Sequence, residues 1–168
     1  YSCGLRVSEL VNLKLSDLYF DEGFIKVEGK GNKQRLIPIS PRAINEIKLY
    51  FTDRNQIEVK SGHEDFVFIS LRRGKRLSRI MIFHMIKELA QQASITKNIS
   101  PHTFRHSFAT HLLEGGANLR AIQCMLGHES IATTEIYTHI DRNMLRSEII
   151  EHHPRNIKYR KEKESLFH

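Results

Sequence analysis

Helix start and stop signals divide the second half of the chain into short segments, and they constrain the fold more than any other feature. Residue types that begin helices recur, namely Ser78, Ser100-Pro101, Asn118, Ser130 and Asp141. Residue types that end helices follow them, namely Gly115-Gly116, Gly127 and Pro154. Short polar side chains cap free backbone N–H groups, whereas glycine and proline interrupt the helical hydrogen-bond pattern. We therefore predict five successive helices between residues 78 and 154, with Tyr137 on the fourth.

The first half of the chain combines helix and strand patterns. Apolar residues at helical spacing predict a helix over residues 6–13 and another that begins at Ser40-Pro41. Residues 24–39 have the pattern of two alternating strands joined by the glycine-rich turn Gly29–Lys33. We expect an α+β, mainly α, fold in one domain, with a small antiparallel sheet or hairpin near its N-terminal end.

The composition favours an intracellular protein with a polyanionic partner. The chain has 168 residues, with 26 Lys and Arg against 19 Asp and Glu, so its formal charge is +7. A basic balance of this kind suits nucleic acid. Cys3 and Cys124 match no redox or metal motif, so we expect two reduced thiols. No apolar run approaches the roughly 18 residues of a membrane span. We predict a cytoplasmic location.

His102 and Arg105 are three residues apart, so a helix places them on one face. Arg105 lies in an otherwise apolar stretch, and a buried guanidinium needs an anionic partner. Two partners are open at this point, namely a bound phosphate or a carboxylate of the protein's own core. His102, His106 and His111 also have spacings at which zinc can bind, but no Glu follows the first histidine as in HExxH. We therefore predict no metal and no cofactor.

Three further residues have ordinary structural interpretations when each is taken alone. Arg6 suits a surface arginine or a partner of Glu9, and a lone tyrosine such as Tyr137 is usually part of a core. His128 follows Gly127, where a loop could direct its side chain towards a site.

Three cations occupy the predicted hairpin. Lys30 lies at its tip, and Lys33 and Arg35 are beside it. Each suits a solvated charge, but together they could follow a DNA backbone. We list Lys33 and Arg35 as candidate DNA-binding residues.

Together, these stretches resemble the tyrosine recombinase (phage integrase) family, most closely its bacterial Xer type. The matching stretches are Gly4-Leu-Arg-Val-Ser-Glu-Leu10, Gly29-Lys-Gly-Asn-Lys-Gln-Arg35, Ser100-Pro-His-Thr-Phe-Arg-His-Ser-Phe-Ala-Thr-His111, Leu126-Gly-His128 and Ile136-Tyr-Thr-His139. One such stretch is a weak signal, but five in the family's order and at fitting separations are specific.

The resemblance implies a catalytic role for six residues. Arg6 and Arg105 would clamp the scissile phosphate, Lys30 would protonate the leaving 5′ oxygen, His102 and His128 would be the family's two histidines, and Tyr137 would be the nucleophile. A tyrosine hydroxyl has a pKa of about 10, so only about one in a thousand is ionised at pH 7. It therefore needs a base or a strong positive field, and His102 is the better candidate for that base. The phosphotyrosyl bond conserves the energy of the cut bond, so the family's reaction needs neither ATP nor a metal ion.

The resemblance also sets expectations about domains and partners. Residues 1–154 would be the catalytic domain without its first part and without the family's N-terminal core-binding domain, and residues 155–168 would form a charged, flexible tail. Helix 141–153 carries apolar residues that suit docking on a neighbouring protomer, or else it folds back on its own domain. The implied partners are double-stranded DNA and a homo- or hetero-tetramer on that DNA, and no membrane.

Three functions remain open. The first is a site-specific recombinase that cuts and rejoins DNA through a 3′-phosphotyrosine, chemistry that type IB topoisomerases share. The second is a basic module that binds DNA without cutting it, which would need neither Tyr137 nor His102. The third is a metal-dependent hydrolase that uses the histidines, and activity in the presence of a chelator would exclude it.

Overall fold

A small antiparallel sheet forms one side of the molecule. The computed structural model describes residues 1–127 and 142–165. The strands are β1 (Leu18–Tyr19), β2 (Phe24–Glu28) and β3 (Gln34–Pro38), in the order β1-β2-β3. In the β2–β3 hairpin, Phe24 pairs with Pro38 and Glu28 pairs with Gln34, as the alternating pattern of residues 24–39 predicts.

Helices make up most of the rest of the described chain. Their bounds are α1 Val7–Asn12, α2 Pro41–Arg54, α3 Arg79–Gln92, α4 Pro101–Glu114, α5 Leu119–Leu126, α6 Arg142–His152 and α7 Pro154–Ser165. The predicted starts at Ser40, Ser78 and Asn118 are confirmed, because each side chain accepts a hydrogen bond from a backbone N–H in the first turn of its helix. The mainly helical α+β class is therefore confirmed.

Two apolar clusters form the core. One lies beneath the sheet and α2 and includes Ile25, Ile37 and Val67. The other lies among α4, α5 and α6 and includes Phe108 and Met125. Both α5 and α6 also contact β3. The contact between α5 and β3 lies at the candidate site. Packed apolar side chains support the site from both clusters.

The helix α6 packs on its own domain in this chain. Leu145 and Ile149 are 3% and 1% exposed and belong to the cluster with α4 and α5. The sequence left open docking on a neighbouring protomer and packing on the helix's own domain. In this single chain the helix has the second arrangement, with Leu145 and Ile149 in the apolar cluster of α4 and α5. Docking on a neighbouring protomer stays a prediction.

Residues 154–165 form the helix α7 where the sequence analysis expected a flexible tail. Asn156 is 1% exposed and donates a hydrogen bond to the carbonyl of Ile150, and Tyr159 accepts one from the Asn45 amide. Proline at the first helical position suits a helix start, so Pro154 both ends α6 and begins α7. Pattern analysis failed here because α7 is mostly charged and has only a narrow apolar side.

Within the described ranges, no helix is long and apolar enough to cross a membrane. Cys3 and Cys124 are both free thiols, as predicted, and burial raises the pKa of Cys3 to about 12.

Candidate active site

A buried carboxylate lies at the centre of the candidate site. Glu9, in the first turn of α1, is 4% exposed. Its two oxygens accept hydrogen bonds from the Arg6 backbone N–H at 2.8 Å and from the Arg6 Nη1 at 3.0 Å. They also accept hydrogen bonds from both terminal nitrogens of Arg35, at 2.8 and 3.0 Å. From the sequence, Glu9 is only a possible partner of Arg6, because a six-residue helix has too few turns to predict which face is buried.

The pKa of Glu9 reflects a balance of opposing effects. Burial alone would raise the pKa of this carboxyl, because the ion loses its hydration. The hydrogen bonds from Arg35 and Arg6 and the charge of Arg35 outweigh burial, so the pKa of Glu9 lies below its ordinary value. Glu9 is therefore an anion at neutral pH, and its charge is fixed in the protein interior.

Arg6 and Arg105 approach this carboxylate from different elements. Arg6 caps α1 and also donates to the carbonyl of Gly127 at 3.4 Å. Arg105, on α4, donates to the carbonyls of Gly4 at 2.6 Å and Leu126 at 2.5 Å, and its Nη1 lies 4.0 Å from Glu9 Oε2. The two predicted phosphate-clamp arginines thus meet at the same short segment, the C-terminal end of α5. Of the two partners that the sequence left open for Arg105, the structure contains the core carboxylate.

Glycine is required at position 4 for this arrangement. Its φ is +60°, and a Cβ there would meet the ring of Phe108, which is fully buried. Without a side chain, the backbone carbonyl of Gly4 can approach α4 closely enough to accept the Arg105 hydrogen bond.

The site carries a surplus of positive charge. Three guanidinium groups, those of Arg6, Arg35 and Arg105, surround the single carboxylate of Glu9. Burial, and then the charge of Arg6, lower the pKa of Arg105 to about 10, with Glu9 opposing this shift. Arg105 remains a cation at neutral pH. Because burial and Arg6 lower its pKa, a further anion nearby would favour its charged form. The Arg6 side chain is 39% exposed and the Arg105 side chain 12%, so Arg6 is the more open to a ligand.

Arg35 is too buried for the DNA-binding role that the sequence predicts. Its side chain is 5% exposed, and its Nε donates to the carbonyl of Met125 at 2.9 Å. The prediction is therefore wrong for Arg35, because all three sides of its guanidinium bind the protein's own acceptors. The signal was present in the sequence, since Arg35 shares the strand parity of Ile37 and Ile39, which are both buried.

Of the other predicted hairpin and helix residues, Lys33 and His102 are exposed. Lys33 is exposed, as DNA contact requires, and its carbonyl accepts the N–H of Gly29 at the base of the turn. Lys30 begins the one-turn 3-10 helix at the hairpin tip. His102 is exposed in the first turn of α4, one turn before Arg105.

His128 and Tyr137 lie outside the described residues, as does the predicted helix between Ser130 and Asp141. His128 directly follows Gly127, whose carbonyl accepts the Arg6 hydrogen bond. Their roles remain predictions. Among the described residues, no three His, Cys, Asp or Glu side chains come together in a way that could hold a metal ion.

Comparison with known proteins identifies the family. The phage integrase family profile matches residues 1–144. Over 156 residues, the chain is 49% identical to tyrosine recombinase XerD of Staphylococcus saprophyticus, covering 92% of this chain and 52% of that protein. It is 48% identical over 155 residues to tyrosine recombinase XerD of Chlorobaculum tepidum, covering 92% and 51%.

Solved structures agree with this assignment. The crystal structure of XerA recombinase matches with a TM-score of 0.69 and 39% identity, over 90% of this chain and 54% of that one. XerH site-specific recombinase, bound to its difH substrate after cleavage, matches with a TM-score of 0.66 and 29% identity, over 88% of this chain and 42% of that one. The chain spans about half the length of the XerD relatives that it matches. With a family profile that covers most of its length and XerD relatives that share close to half of its residues, this chain belongs to the phage integrase family of tyrosine recombinases.

Proposed function

We propose that this protein is a site-specific DNA recombinase that cuts and rejoins strands through a covalent 3′-phosphotyrosine. The observation that carries the proposal is the arginine cluster at the C-terminal end of α5. There, Arg6 and Arg105 share the Glu9 carboxylate and bind adjacent backbone carbonyls. A single buried anion beside three guanidinium groups leaves a surplus of positive charge, which favours the binding of an anionic phosphodiester.

In the proposed reaction, the two arginines hold the non-bridging oxygens of the scissile phosphate. Tyr137 attacks the phosphorus through its hydroxyl oxygen, and His102 accepts the hydroxyl proton. The bond between phosphorus and the 5′ oxygen breaks, and Lys30 gives that oxygen a proton. The 3′ end remains on Tyr137 until a 5′ hydroxyl attacks it and restores a phosphodiester. The number of phosphoester bonds is unchanged throughout, so the reaction consumes no ATP.

The arginines have a further part in this reaction. Negative charge builds on the phosphate oxygens as the bond to tyrosine forms, and fixed cations stabilise that charge without having to reorganise. Backbone carbonyls hold both guanidinium groups in place before DNA arrives. His128 follows Gly127 in the chain, so we expect it to reach the same phosphate.

The partners that we propose are double-stranded DNA and further recombinase protomers. Exchange between two DNA sites involves four strand cleavages, which a homo- or hetero-tetramer on DNA would provide. XerD and XerH, two of the similar proteins, are a tyrosine recombinase and a site-specific recombinase bound to DNA. Because such a recombinase acts on DNA inside the cell, we propose a cytoplasmic location.

The test is to trap the covalent adduct under denaturing conditions and to map the attached residue. The natural full-length protein is incubated with nicked DNA duplexes of randomised sequence in the presence of a chelator. We expect DNA attached at Tyr137, no adduct from Tyr137→Phe, and nearly equal DNA affinity of the two proteins. The trapped DNA, once sequenced, gives the preferred target site. Binding without any adduct would favour a DNA-binding module that does not cut, and an adduct abolished by the chelator would favour a metal-dependent enzyme.

A further inference from the structure

We propose that Arg35 is a positioning residue that joins three parts of the candidate active site: the start of α1, the β2–β3 hairpin and the C-terminal end of α5. This inference rests on the proposed recombinase function. Arg35 itself is too buried to touch DNA, with 5% of its side chain exposed. It acts through Glu9 and through the backbone next to His128.

All three guanidinium nitrogens of Arg35 donate hydrogen bonds within the protein. Its Nη1 and Nη2 bind the two oxygens of Glu9 at 2.8 and 3.0 Å, in the bidentate geometry that arginine shares with carboxylates. Its Nε binds the carbonyl of Met125 at 2.9 Å. One side chain on β3 therefore fixes both a carboxylate on α1 and the last turn of α5, and these two helices are more than a hundred residues apart in sequence.

The backbone of Gly127 lies directly against Arg35. A Cβ at position 127 would be 3.1 to 3.2 Å from the Nε, Cδ and Cζ atoms of Arg35, and the φ of Gly127 is +65°. Glycine thus permits both the left-handed turn that ends α5 and the close approach of Arg35. The Arg35 side chain consequently limits the direction in which the chain leaves α5 at Gly127, the residue before His128.

Through Glu9, Arg35 also controls the arginines that would bind phosphate. The Glu9 Oε1 atom accepts from both Arg35 and Arg6, and Oε2 lies 4.0 Å from Arg105. A carboxylate without Arg35 would have only Arg6 and Arg105 as partners, and their guanidinium groups would move from the positions that the transition state requires. Loss of the Arg35 fork should therefore slow cleavage, while DNA affinity, which depends on many other phosphate contacts, stays nearly intact.

The same geometry predicts a change in the pH profile. Glu9 also lines a cavity of about 380 Å³, together with four other charged residues: Lys14, Asp17, Lys26 and Glu28. Lys26 pairs with Asp17 at 3.1 Å, so the cations that bind Glu9 directly are the arginines. Arg35 helps to hold the pKa of Glu9 below its ordinary value. A weaker partner at position 35 would raise the pKa of Glu9, and the acid side of the cleavage profile would move to higher pH.

The experiment compares two conservative changes in the natural full-length protein, Arg35→Lys and Arg54→Lys. Arg54 is a matched control, since Arg35 and Arg54 are each 7% exposed as whole residues. Arg54 lies on α2, and its side chain donates to the backbone carbonyls of Glu64, Phe66 and Val67. Lysine keeps the charge at each position and loses the planar fork. The substrate is a nicked duplex that carries the site recovered by adduct trapping, at saturating concentration and over a range of pH.

We expect Arg35→Lys to slow single-turnover cleavage by roughly 10- to 100-fold, the scale of a misplaced catalytic group. Its DNA Kd should stay within about twofold of the wild-type value, because no phosphate contact is lost. The acid limb of the variant's pH–rate profile for cleavage should move to higher pH, and NMR titration of the Glu9 carboxyl should show the raised pKa. Arg54→Lys should reduce thermal stability and leave the cleavage rate and pH profile of the folded protein unchanged.

The outcomes separate this inference from the proposed function. A wild-type protein that forms no adduct removes the proposed function and, with it, this inference. An active wild type whose Arg35→Lys variant keeps the wild-type rate and pH profile overturns the inference alone. If Arg35→Lys does not fold, Glu9→Gln/Arg35→Gln removes both charges together and leaves no lone buried ion. That double variant should fold and cleave slowly, and cleavage at the wild-type rate would overturn the inference.

Discussion

Arg35 and Arg54 are equally buried, each 7% exposed, yet they stabilise very different regions. Arg54, on α2, donates to three carbonyls of a single loop, those of Glu64, Phe66 and Val67. Arg35, on β3, binds a carboxylate that belongs to another element and the end of a distant helix. One arginine fixes the path of a loop, and the other joins three elements around a site.

The difference lies in the partners rather than in burial. The carbonyls that Arg54 binds all belong to one short segment, so its hydrogen bonds hold that loop in place. A buried carboxylate is a full charge that must be neutralised, and Glu9 meets this requirement with arginines from the start of α1, from β3 and from α4. The buried charge therefore joins distant elements, whereas the neutral hydrogen bonds of Arg54 hold one loop.

Replacement of Glu9 by alanine should produce the largest loss of stability. Arg35 would be left as a buried cation without its anion, and such a change costs about 3–5 kcal/mol. Denaturant unfolding measures it. The control is Glu46→Ala on α2, an exposed carboxylate 3.9 Å from Arg42, where the loss should be about 0–1 kcal/mol. Equal losses in the two variants would show that the Glu9 cluster has no special role in stability.

Replacement of Arg105 by alanine should stop the chemistry more severely than it weakens binding. A cation that stabilises charge in the transition state contributes about 100- to 1,000-fold to the rate. Single-turnover cleavage and DNA affinity, measured on one preparation, check this. Cleavage retained near the wild-type rate would remove Arg105 from the phosphate clamp and leave it a structural residue like Arg54.

Replacement of Arg54 by alanine should destabilise the protein without a direct effect on cleavage. The carbonyls of Phe66 and Val67 lose a buried donor, which costs roughly 1–3 kcal/mol for each buried acceptor left without a partner. Thermal unfolding gives the loss, and cleavage well below the melting temperature gives the activity. If the rate per folded molecule fell as far as in Arg105→Ala, the two regions would not be independent.

The stability of the Glu9 cluster should depend on pH in a defined direction. The folded pKa of Glu9 lies below its ordinary value of 4.5. The resulting stabilisation is therefore fully present above that ordinary pKa and is lost as the pH falls through the folded pKa. Urea unfolding of wild type and Glu9→Gln between about pH 7 and pH 3 measures it, and the difference between them should shrink only in the acid range. A difference that stays constant with pH would contradict an ionised Glu9.

Replacement of Lys33 by glutamine should have the smallest effect. Lys33 is exposed at the hairpin, so a lost phosphate contact should reduce the slope of log affinity against log salt by about 1. Cleavage at saturating DNA should change little. An unchanged salt slope would remove Lys33 from the DNA-binding residues, as burial already removes Arg35.

The sequence predicted local structure well where a single residue type has a local effect. The caps at Ser40, Ser78 and Asn118 and the left-handed stop at Gly127 depend only on neighbouring backbone groups. The hairpin register follows from alternation and a glycine turn. The helix at residues 154–165 was not predicted, because it packs along only one narrow side and so has no strong apolar stripe.

The sequence also supplied most of the candidate site, through motifs rather than through geometry. Arg6, Arg105 and His102 are predictable because their spacing matches a family pattern, and the first two lie together in the structure. Burial could not be predicted from a six-residue helix, so Glu9 was not recognised as the centre of the cluster.

By itself, then, the sequence determined the capped helices, the hairpin, the family and the candidate reactive side chains, because all of these depend on residue type and spacing along the chain. Strand parity also indicated that Arg35 faces inward, but only the tertiary structure decided which acceptors hold it and which arginine stays open to a ligand. Arg6 and Arg35 are both cations in matching motifs, but Arg6 is partly exposed and Arg35 is enclosed. The physical reason is that a guanidinium's role depends on the acceptors around it, and those come from α1 and the C-terminal end of α5, which the fold alone brings together.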